Sequence, residues 1–566
     1  MQTKTMRARP VNSRSLFFIT SPRTPFKAIP EIALLDEELH GEIWNSDTQA
    51  KYYHLLRDRD FFEGNEAKDT AFAGRDRINR LPHKMGFVKL PEIALTEAGK
   101  EFVESNNKEE ILLRQMLKYQ LPSPLQPKGK GSADFWVKPY LELFRLIRDL
   151  GELSFDELQI FGMQLVNYEY YDEIVEKIKD FRLRKNANKG NYREFKQKVF
   201  FEETRYIYRF EISSGNIQTR ESRTDTVQDF LSKKISNLRD YADAAIRNLR
   251  STGLVNVTAI GKTLSILPER RNDVDYFLST IDRNPVYVSQ HNQYEDYLGN
   301  ASLPVLLADD KNKVIETLQN EFKISTNASL SINRLKDLLN EQRELRQQER
   351  IKAQVKDLKE YKLYDEIDST FDSMGSCYEP SLFFEWNTWR AMTMLDGGDI
   401  QSNLKFDDSG NPMSTALGKM ADIECDYGDF DLIVEVSLSS GALQFKMEGE
   451  PVPRHLGIHK SKTNKPTYGL FIAPTINPAT VAHFYSLYHS NIAMYGGKCN
   501  IIPMTLDTFR KMLKDAVDAT SKPNANNIRK LFDASLRYAQ ESNNNNGTET
   551  DWYNMITKTA NNWLAA

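Results

Sequence analysis

The chain has 566 residues, 40% hydrophobic and 27% charged. At roughly 100–200 residues per domain this predicts about three to five domains with real cores and excludes a disordered chain. No apolar run reaches the roughly 18–20 residues of a membrane span. The basic opening offers only "LFFI" (16–19) and no small-residue cleavage site, so no secretory leader and no membrane partner are expected. Three scattered cysteines, Cys377, Cys425 and Cys499, exclude a disulfide framework and a zinc cluster; a cytoplasmic protein is expected.

Net charge is −4, from 75 Lys and Arg against 79 Asp and Glu, which gives no global sign of a polyanionic partner. The distribution says more. Residues 1–282 hold 45 basic and 42 acidic side chains, net +3, leaving 30 and 37, net −7, for 283–566. Residues 1–30 hold six basic side chains and no acid. Residues 181–209 hold nine basic side chains and three acids, with Phe and Tyr interleaved from Tyr192 to Tyr208. That is the composition of a phosphate-contacting surface; a solvated helix face followed by an amphipathic strand fits it equally.

A weak repeat organises the first half. "GFVKLPEIALTEAGKEF" (86–102) and "GLVNVTAIGKTL" (253–264) each read as Gly, a short strand, a turn and a second strand. Each follows a basic helix-like segment, 71–86 and 238–253. Helix, Gly stop and hairpin in that order predict two winged helix-turn-helix modules. In such a module the helix before the wing enters the major groove, which places Arg75, Arg77, Arg80, Arg247 and Arg250 to reach bases or phosphates. Protein docking is the other use of this module; two arginine-rich copies favour DNA.

From residue 283 the pattern changes to long, charged, helix-forming stretches, with no Gly or Pro between 331 and 374. The apolar positions hold no heptad, so a helical linker is expected rather than a coiled coil. Beyond it, 381–395 suits an amphipathic helix, 430–439 a buried strand and 441–450 a helix. Buried strands are also predicted at 467–474 and 500–506, and a loop at 541–550 before a last helix with Trp552 and Trp563. Strands alternating with helices predict an α/β domain on a mixed sheet. The expected division is 1–140 and 141–282 for two winged-helix-like subdomains, 283–375 for the linker and 376–566 for the last domain.

The chemistry centres on carboxylates around one strand. Asp422, Glu435 and Glu448 follow each other at thirteen-residue intervals. An ionised Glu435 among Ile433, Val434 and Val436 costs several kcal/mol to bury unless a cation or donor compensates it. Two carboxylates from neighbouring strands beside a backbone carbonyl suit Mg²⁺, and such a site supports attack of water on a phosphodiester. Glu424, Asp426, Asp429 and Asp431 crowd the same stretch, so spacing leaves open the alternative that Glu435 marks a strand end and the acids are solvated.

At these residues the sequence resembles the AlwI-like family of type IIS restriction endonucleases, which takes in the large subunits of related nicking endonucleases. The likeness runs nearly end to end. "SPRTP" (21–25), "GRDR" (74–77), "LTEAGK" (95–100), "KGK" (128–130), "ADA" (242–244), "TGL" (252–254) and "GNASLP" (299–304) look like its N-terminal blocks. "FEWNTW" (384–389), "GALQFKMEGEPVPRH" (441–455), "LFIAPTIN" (470–477) and "IIPMTL" (501–506) are similar to its nuclease blocks.

The resemblance implies a multidomain α+β protein: winged helix-turn-helix DNA-recognition subdomains, a helical linker and a C-terminal α/β nuclease domain of the PD-(D/E)xK class. Asp422 matches the first metal-binding acid and Glu435 the second. Ser437 stands where relatives of that wider class place a Lys, and Ala421 where a Pro often precedes the Asp. Glu448 and Glu385 match the further acids of the site. The implied roles are Mg²⁺ (or Mn²⁺ in its place) on Asp422, Glu435 and the Val436 carbonyl, with Glu448 orienting or deprotonating water directly or through a second metal. Arg454 and His455 are placed at the scissile phosphate, with a structural hydrogen bond the alternative for His455. Arg23, Arg75, Arg77, Arg247 and Arg250 are expected to read DNA, and Lys128 and Lys130 to contact phosphates.

Such an enzyme binds a five-base-pair site, such as GGATC or GAGTC, and cuts a few base pairs to one side. One acidic cluster per chain cuts one strand, so double-strand cleavage needs a transient homodimer through the nuclease domain or a small second subunit. A chain with neither nicks. A cognate DNA methyltransferase and a prokaryotic cytoplasm belong to the same expectation. The alternatives are a non-cleaving DNA-binding regulator, which the four acids oppose, and a recombination or repair nuclease, which the two-module reader opposes.

Overall fold

The computed structural model describes residues 14–564, except 60, 63–65, 126–133, 218–225, 261, 327–328 and 417–419. Two compact units divide the chain, Met1–Gln342 and Arg343–Ala566.

The first unit opens with α1 (Ala28–Leu39), α2 (Ser46–Asp58) and α3 (Thr70–Asn79). Asn45 caps α2 by accepting the Asp47 and Thr48 N–H groups, and Asp69 caps α3 through the Phe72 N–H. A short α4 (Leu81–Lys84) leads into the antiparallel hairpin β1 (Val88–Lys89) and β2 (Ala94–Leu95), with Val88 opposite Leu95. Thr96 caps α5 (Glu97–Glu104). Gly99 of this helix lies so close to the hairpin that a Cβ would sit 2.0 Å from the Phe87 carbonyl oxygen, so the glycine of "LTEAGK" is a packing requirement.

Next comes α6 (Lys108–Lys118), whose buried Arg114 and Lys118 fix a distant loop. Lys118 Nζ donates to the Leu298 and Asn300 carbonyls at 2.7 Å each, and Arg114 reaches the Pro304 carbonyl at 2.6 Å and the Asp309 carboxylate at 2.8 Å. The "GNASLP" block is the segment they hold. Burial presses the Lys118 ammonium down to about 7.

The rest of the unit runs α7 (Pro139–Leu150), β3 (Leu153–Ser154), α8 (Phe155–Ile160), α9 (Tyr171–Ala187), α10 (Tyr192–Ile207), α11 (Arg209–Ser213), α12 (Val227–Arg250), β4 (Val255–Val257) and β5 (Thr263–Ile266). The three strands form one antiparallel sheet in the order β3-β5-β4. Both sequence repeats thus form a helix followed by a hairpin. The strand reading of the second half of 181–209 is overturned: α10 occupies it, because Val199, Phe200 and Thr204 recur at helical spacing and are buried together. Helices α13 (Arg271–Thr280), α14 (His291–Gly299), α15 (Lys311–Phe322) and α16 (Ile332–Lys359) follow. Val314 and Leu318 of α15 pack on Leu335 and Leu339 of α16. The boundary between the units falls inside α16, so the stretch expected as a linker divides between them.

The second unit contains α17 (Tyr364–Asp372), α18 (Pro380–Leu395), β6 (Asp399–Ser402), β7 (Lys405–Phe406), β8 (Pro412–Ser414), β9 (Ile423–Asp426), β10 (Asp431–Val436), α19 (Gly441–Glu448), α20 (Pro451–Lys460), β11 (Thr467–Ala473), α21 (Pro478–His489), β12 (Ile501–Thr505), α22 (Leu506–Asp518), α23 (Ala525–Asn544) and α24 (Glu549–Ala560). Its sheet has the order β12-β11-β10-β9-β6. β10, β11 and β12 are parallel, whereas β9 pairs antiparallel with both β10 and β6, the mixed sheet the sequence predicts. All seven residues of β11 are buried, as befits a strand covered on both faces. The polar run after 540 extends α23 to Asn544, so the predicted loop shrinks to 545–548; Trp563 is buried just beyond α24.

Among the described residues no helix is long and apolar enough to cross a membrane.

Candidate active site

The β9–β10 ladder ends at Ile423 opposite Val434. Asp422 and Glu435 come next in register, and directly opposed residues of an antiparallel pair share a face. There the Asp422 side chain takes over from the backbone: its Oδ2 accepts the Val436 N–H at 2.8 Å. Glu435 is only 6% exposed, inside the last turn of a strand whose apolar neighbours Leu432, Ile433 and Val434 are fully enclosed. The solvated-acid alternative is therefore excluded for Glu435.

Three helices bring the remaining groups. Helix α18 supplies the buried Glu385, whose Oε2 accepts the Ala416 N–H at 3.3 Å. Helix α19 ends on Glu448, which the Ser437 hydroxyl hydrogen-bonds. Helix α20 carries His455, whose Nδ1 lies 2.7 Å from Glu435 Oε1, and Arg454, which donates to Glu450 at 2.9 Å. Gly457 lets α20 close on the 493–495 turn, since a Cβ there would lie 2.8 Å from the Tyr495 Cα.

Electrostatics bind these groups into one site. Burial, then the charge of Glu435 and that of Glu448, drive Asp422 well above the usual carboxylate range, against the Val436 N–H. Burial and the charges of Glu448 and Glu385 do the same to Glu435, with Arg454 opposing. Burial also raises Glu448. His455 is pressed down to about 4 by burial and by Arg454, so it is neutral at pH 7.

The neighbouring acids behave oppositely. His459, one turn beyond His455, stands 3.3 Å from Asp431 and 3.6 Å from Glu424, and Lys465 is 2.6 Å from Asp426. Glu424 and Asp426 are accordingly held below the usual range, by His459 and Lys465 respectively. His459 and Lys465 thus offset Glu424, Asp426 and Asp431 among the acids that spacing alone left unsorted.

Among the described residues no three His, Cys, Asp or Glu side chains are already closed around a common point as a bound metal requires. Asp422 Oδ2 is engaged by Val436 and Glu435 Oε1 by His455. The donor set nevertheless fits a hard divalent cation: buried carboxylate oxygens, Asp422 raised by the charge of Glu435 and Glu435 by those of Glu448 and Glu385.

The residues expected on DNA divide. Arg75 is exposed, its guanidinium 5.3 Å from the Phe72 ring. Arg23 is exposed as well. Arg77 is tied inward, donating to Glu31 at 2.9 Å and to the Phe61 carbonyl at 3.3 Å. Arg247 and Arg250 are each only 6% exposed, because the last turns of α12 are enclosed on all sides; Arg247 bonds Asp243 and the Arg23 carbonyl. Lys128 and Lys130 lie outside the described residues.

Sequence reasoning missed Gln444. It is the one buried residue of α19, and its amide donates to the Ser439 and Thr475 carbonyls at 3.0 and 2.8 Å and accepts the Asn477 N–H at 2.8 Å. One side chain therefore pins the helix that presents Glu448. Nothing in "GALQFKME" marks this glutamine from its neighbours.

The fold and site define a class: a multidomain α+β protein with a buried carboxylate cluster at the end of an antiparallel strand pair in a mixed sheet. The chain belongs to the AlwI restriction endonuclease family, whose model matches residues 83–512; it is a nuclease of the site-specific DNA endonuclease kind. No curated protein matches it. Solved structures are among its matches, two of which follow. The crystal structure of the small subunit (R.BspD6I2) of the heterodimeric restriction endonuclease R.BspD6I is 26% identical, with 36% of this chain and 96% of that one covered and a TM-score of 0.28. The BpuJ1 endonuclease binding domain, in complex with pyrene- and phenanthrene-modified DNA, is 12% identical, with 50% of this chain and 97% of that one covered and a TM-score of 0.35.

Two outcomes follow from the geometry. A carboxyl group whose folded pKa is raised contributes stability at low pH that is lost as pH rises through the folded value. Glu448→Gln removes one such group, so without divalent metal it is expected to raise Tm at pH 8 by about 2–4 °C, the shift of roughly 1 kcal/mol for a domain this size. The gain should shrink towards pH 4, as scanning calorimetry would show; a drop in Tm at pH 8 contradicts the mutual repulsion. Gln444→Ala should misplace Glu448 and cut the turnover of DNA about 10-fold or more, with unchanged DNA affinity in a filter-binding assay. Equal loss of affinity would make Gln444 a general structural residue.

Proposed function

We propose that the protein is a type IIS, Mg²⁺-dependent endonuclease that binds a short asymmetric duplex site and hydrolyses phosphodiester bonds a few base pairs to one side. The observation that carries this reading is the cluster of Asp422, Glu435, Glu448 and Glu385, in which burial and neighbouring carboxylates raise Asp422 and Glu435 while His459 and Lys465 hold Glu424 and Asp426 low. Buried like charges persist where they have a cation to hold.

The helix–hairpin units around β1–β2 and β4–β5 support winged-helix modules as the DNA reader, with Arg23 and Arg75 the exposed candidates for contact. The mixed sheet with acids at its β9–β10 end supports a nuclease domain of the PD-(D/E)xK class. Asp422, Glu435, the Val436 carbonyl and Glu448 would hold Mg²⁺ or Mn²⁺, and a bound divalent ion supplies Lewis-acid stabilisation of the phosphoryl oxygens. Glu448 would orient or deprotonate the attacking water, directly or by holding a second metal. Neutral His455 orients Glu435 through the 2.7 Å contact. Glu385 keeps the pocket acidic, and Arg454 faces the developing phosphate charge in place of the absent lysine.

One cluster per chain cuts one strand. Double-strand cleavage therefore calls for a transient homodimer or a small second subunit, and a chain acting alone nicks. A five-base-pair site, a partner methyltransferase and the prokaryotic cytoplasm complete the proposal.

Supercoiled plasmid incubated with the protein and Mg²⁺, with ends on both strands mapped by run-off sequencing, tests it. Ends at a fixed offset from one asymmetric motif are expected, and Glu435→Ala should abolish them while leaving specific binding intact. Site-specific binding without cleavage in Mg²⁺ or Mn²⁺ would make the chain a regulator; cleavage without a motif would make it a different kind of nuclease.

A further inference from the structure

The basic stretch at 181–209 is not used by the site or by the helices that precede the hairpins. It forms α9, α10 and α11, with ion pairs Arg184–Glu202 at 3.3 Å and Lys177–Glu203 at 3.5 Å tying α9 to α10. Of its basic side chains, Arg182, Arg184 and Lys196 are spent on carboxylates. Lys198, Arg205 and Arg209 meet none within ion-pair distance among the described residues, and all three are exposed. Spacings of seven and four residues put them on one helical face. The helix path continues through Tyr208, whose N–H bonds the Thr204 carbonyl and whose carbonyl accepts the Ile212 N–H.

Aromatic side chains complete the feature. Tyr208 turns inward onto Phe230 and Leu231. Tyr206 and Phe210 turn outward, 53% and 59% exposed. The Arg209 guanidinium lies between their rings, 4.4 Å from the Tyr206 centroid and 4.7 Å from that of Phe210. It also donates to the Tyr206 carbonyl at 2.9 Å. Exposed rings that bury nothing of their own core, yet clamp a cation, hold that cation ready for an external anion and lower the entropy cost of binding it.

We propose that Lys198, Arg205 and Arg209, with Tyr206 and Phe210 as the clamp, form a DNA-backbone contact separate from the helix–hairpin readers. The occupant is duplex DNA, because three unneutralised cations on one face complement a row of phosphates. The contact is sequence-independent and adds affinity to any duplex. It rests on the endonuclease reading above.

The test measures binding of the full chain by fluorescence anisotropy between 50 and 200 mM salt, with Ca²⁺ replacing Mg²⁺. The probes are a random-sequence 40-base-pair duplex and a duplex holding the mapped site. The triple variant Lys198→Ala, Arg205→Ala, Arg209→Ala should weaken both by the same factor, roughly 10-fold to 100-fold at 50 mM salt. Its log–log salt slope should fall by about 2.7, from three contacts at roughly 0.9 each. The pair Tyr206→Ser, Phe210→Ser should weaken binding several-fold with the slope unchanged. All five side chains are on the surface, so Tm should match the wild type and confirm intact folding. A variant that binds as the wild type does, or one that loses affinity only for the mapped site, overturns the contact alone. Wild-type protein that binds neither duplex overturns the endonuclease reading together with it. Equally tight, variant-sensitive capture of poly-glutamate would assign the face to an acidic protein instead.

Discussion

Repulsion among Asp422, Glu435 and Glu448 is the constraint from which the second unit is best understood. All three are pushed up by burial, Asp422 also by the charges of Glu435 and Glu448 and Glu435 by those of Glu448 and Glu385, and two of them stand side by side where the β9–β10 ladder stops. A sheet can hold such a cluster only if the surrounding structure over-determines it. Parallel pairing of β10 with β11 and of β11 with β12 fixes the strand that carries Glu435. Gln444 fixes the helix that carries Glu448, and the Val436 N–H holds Asp422. In the proposed function a divalent cation would relieve this repulsion, so stability and catalysis would draw on the same groups.

Helix α20 divides the charged face of this sheet. His455 and His459 are one turn apart, yet they meet opposite environments. His459 gains two carboxylate partners and is raised, whereas His455 is desolvated beside Arg454 and falls to about 4. His459 therefore offsets Asp431 and Glu424, whereas neutral His455 offers Glu435 no compensating charge.

Much of this was legible in the sequence. The strands at 431–436, 467–473 and 501–505 are continuous apolar runs, and their burial on both faces is what such runs mean. Asp422, Glu435, Glu448 and Glu385 were readable through the family blocks, and the structure brings them together. Strand β9 was not legible: "IECD" alternates apolar residues with acids, and pairing with β10 on one side and β6 on the other makes it a strand. Arg247 and Arg250 show the limit of composition, since the sequence gives their charge but not that the end of α12 is enclosed. Residues 192–207 show the limit of alternation, because aromatic and basic side chains interleave in a helix as readily as in a strand. Gln444 carries no signal because its role is set largely by the 475–477 loop, some thirty residues on.

The account stands on a cation at the carboxylate cluster. Its most direct test is anomalous X-ray scattering from crystals of the protein soaked in Mn²⁺. The account predicts one strong peak within about 2.3 Å of carboxylate oxygens of both Asp422 and Glu435, with Glu448 drawn towards it, and loss of that peak in Glu435→Ala. Full soaking with no peak at the β9–β10 end, or a peak that persists in Glu435→Ala, would contradict it.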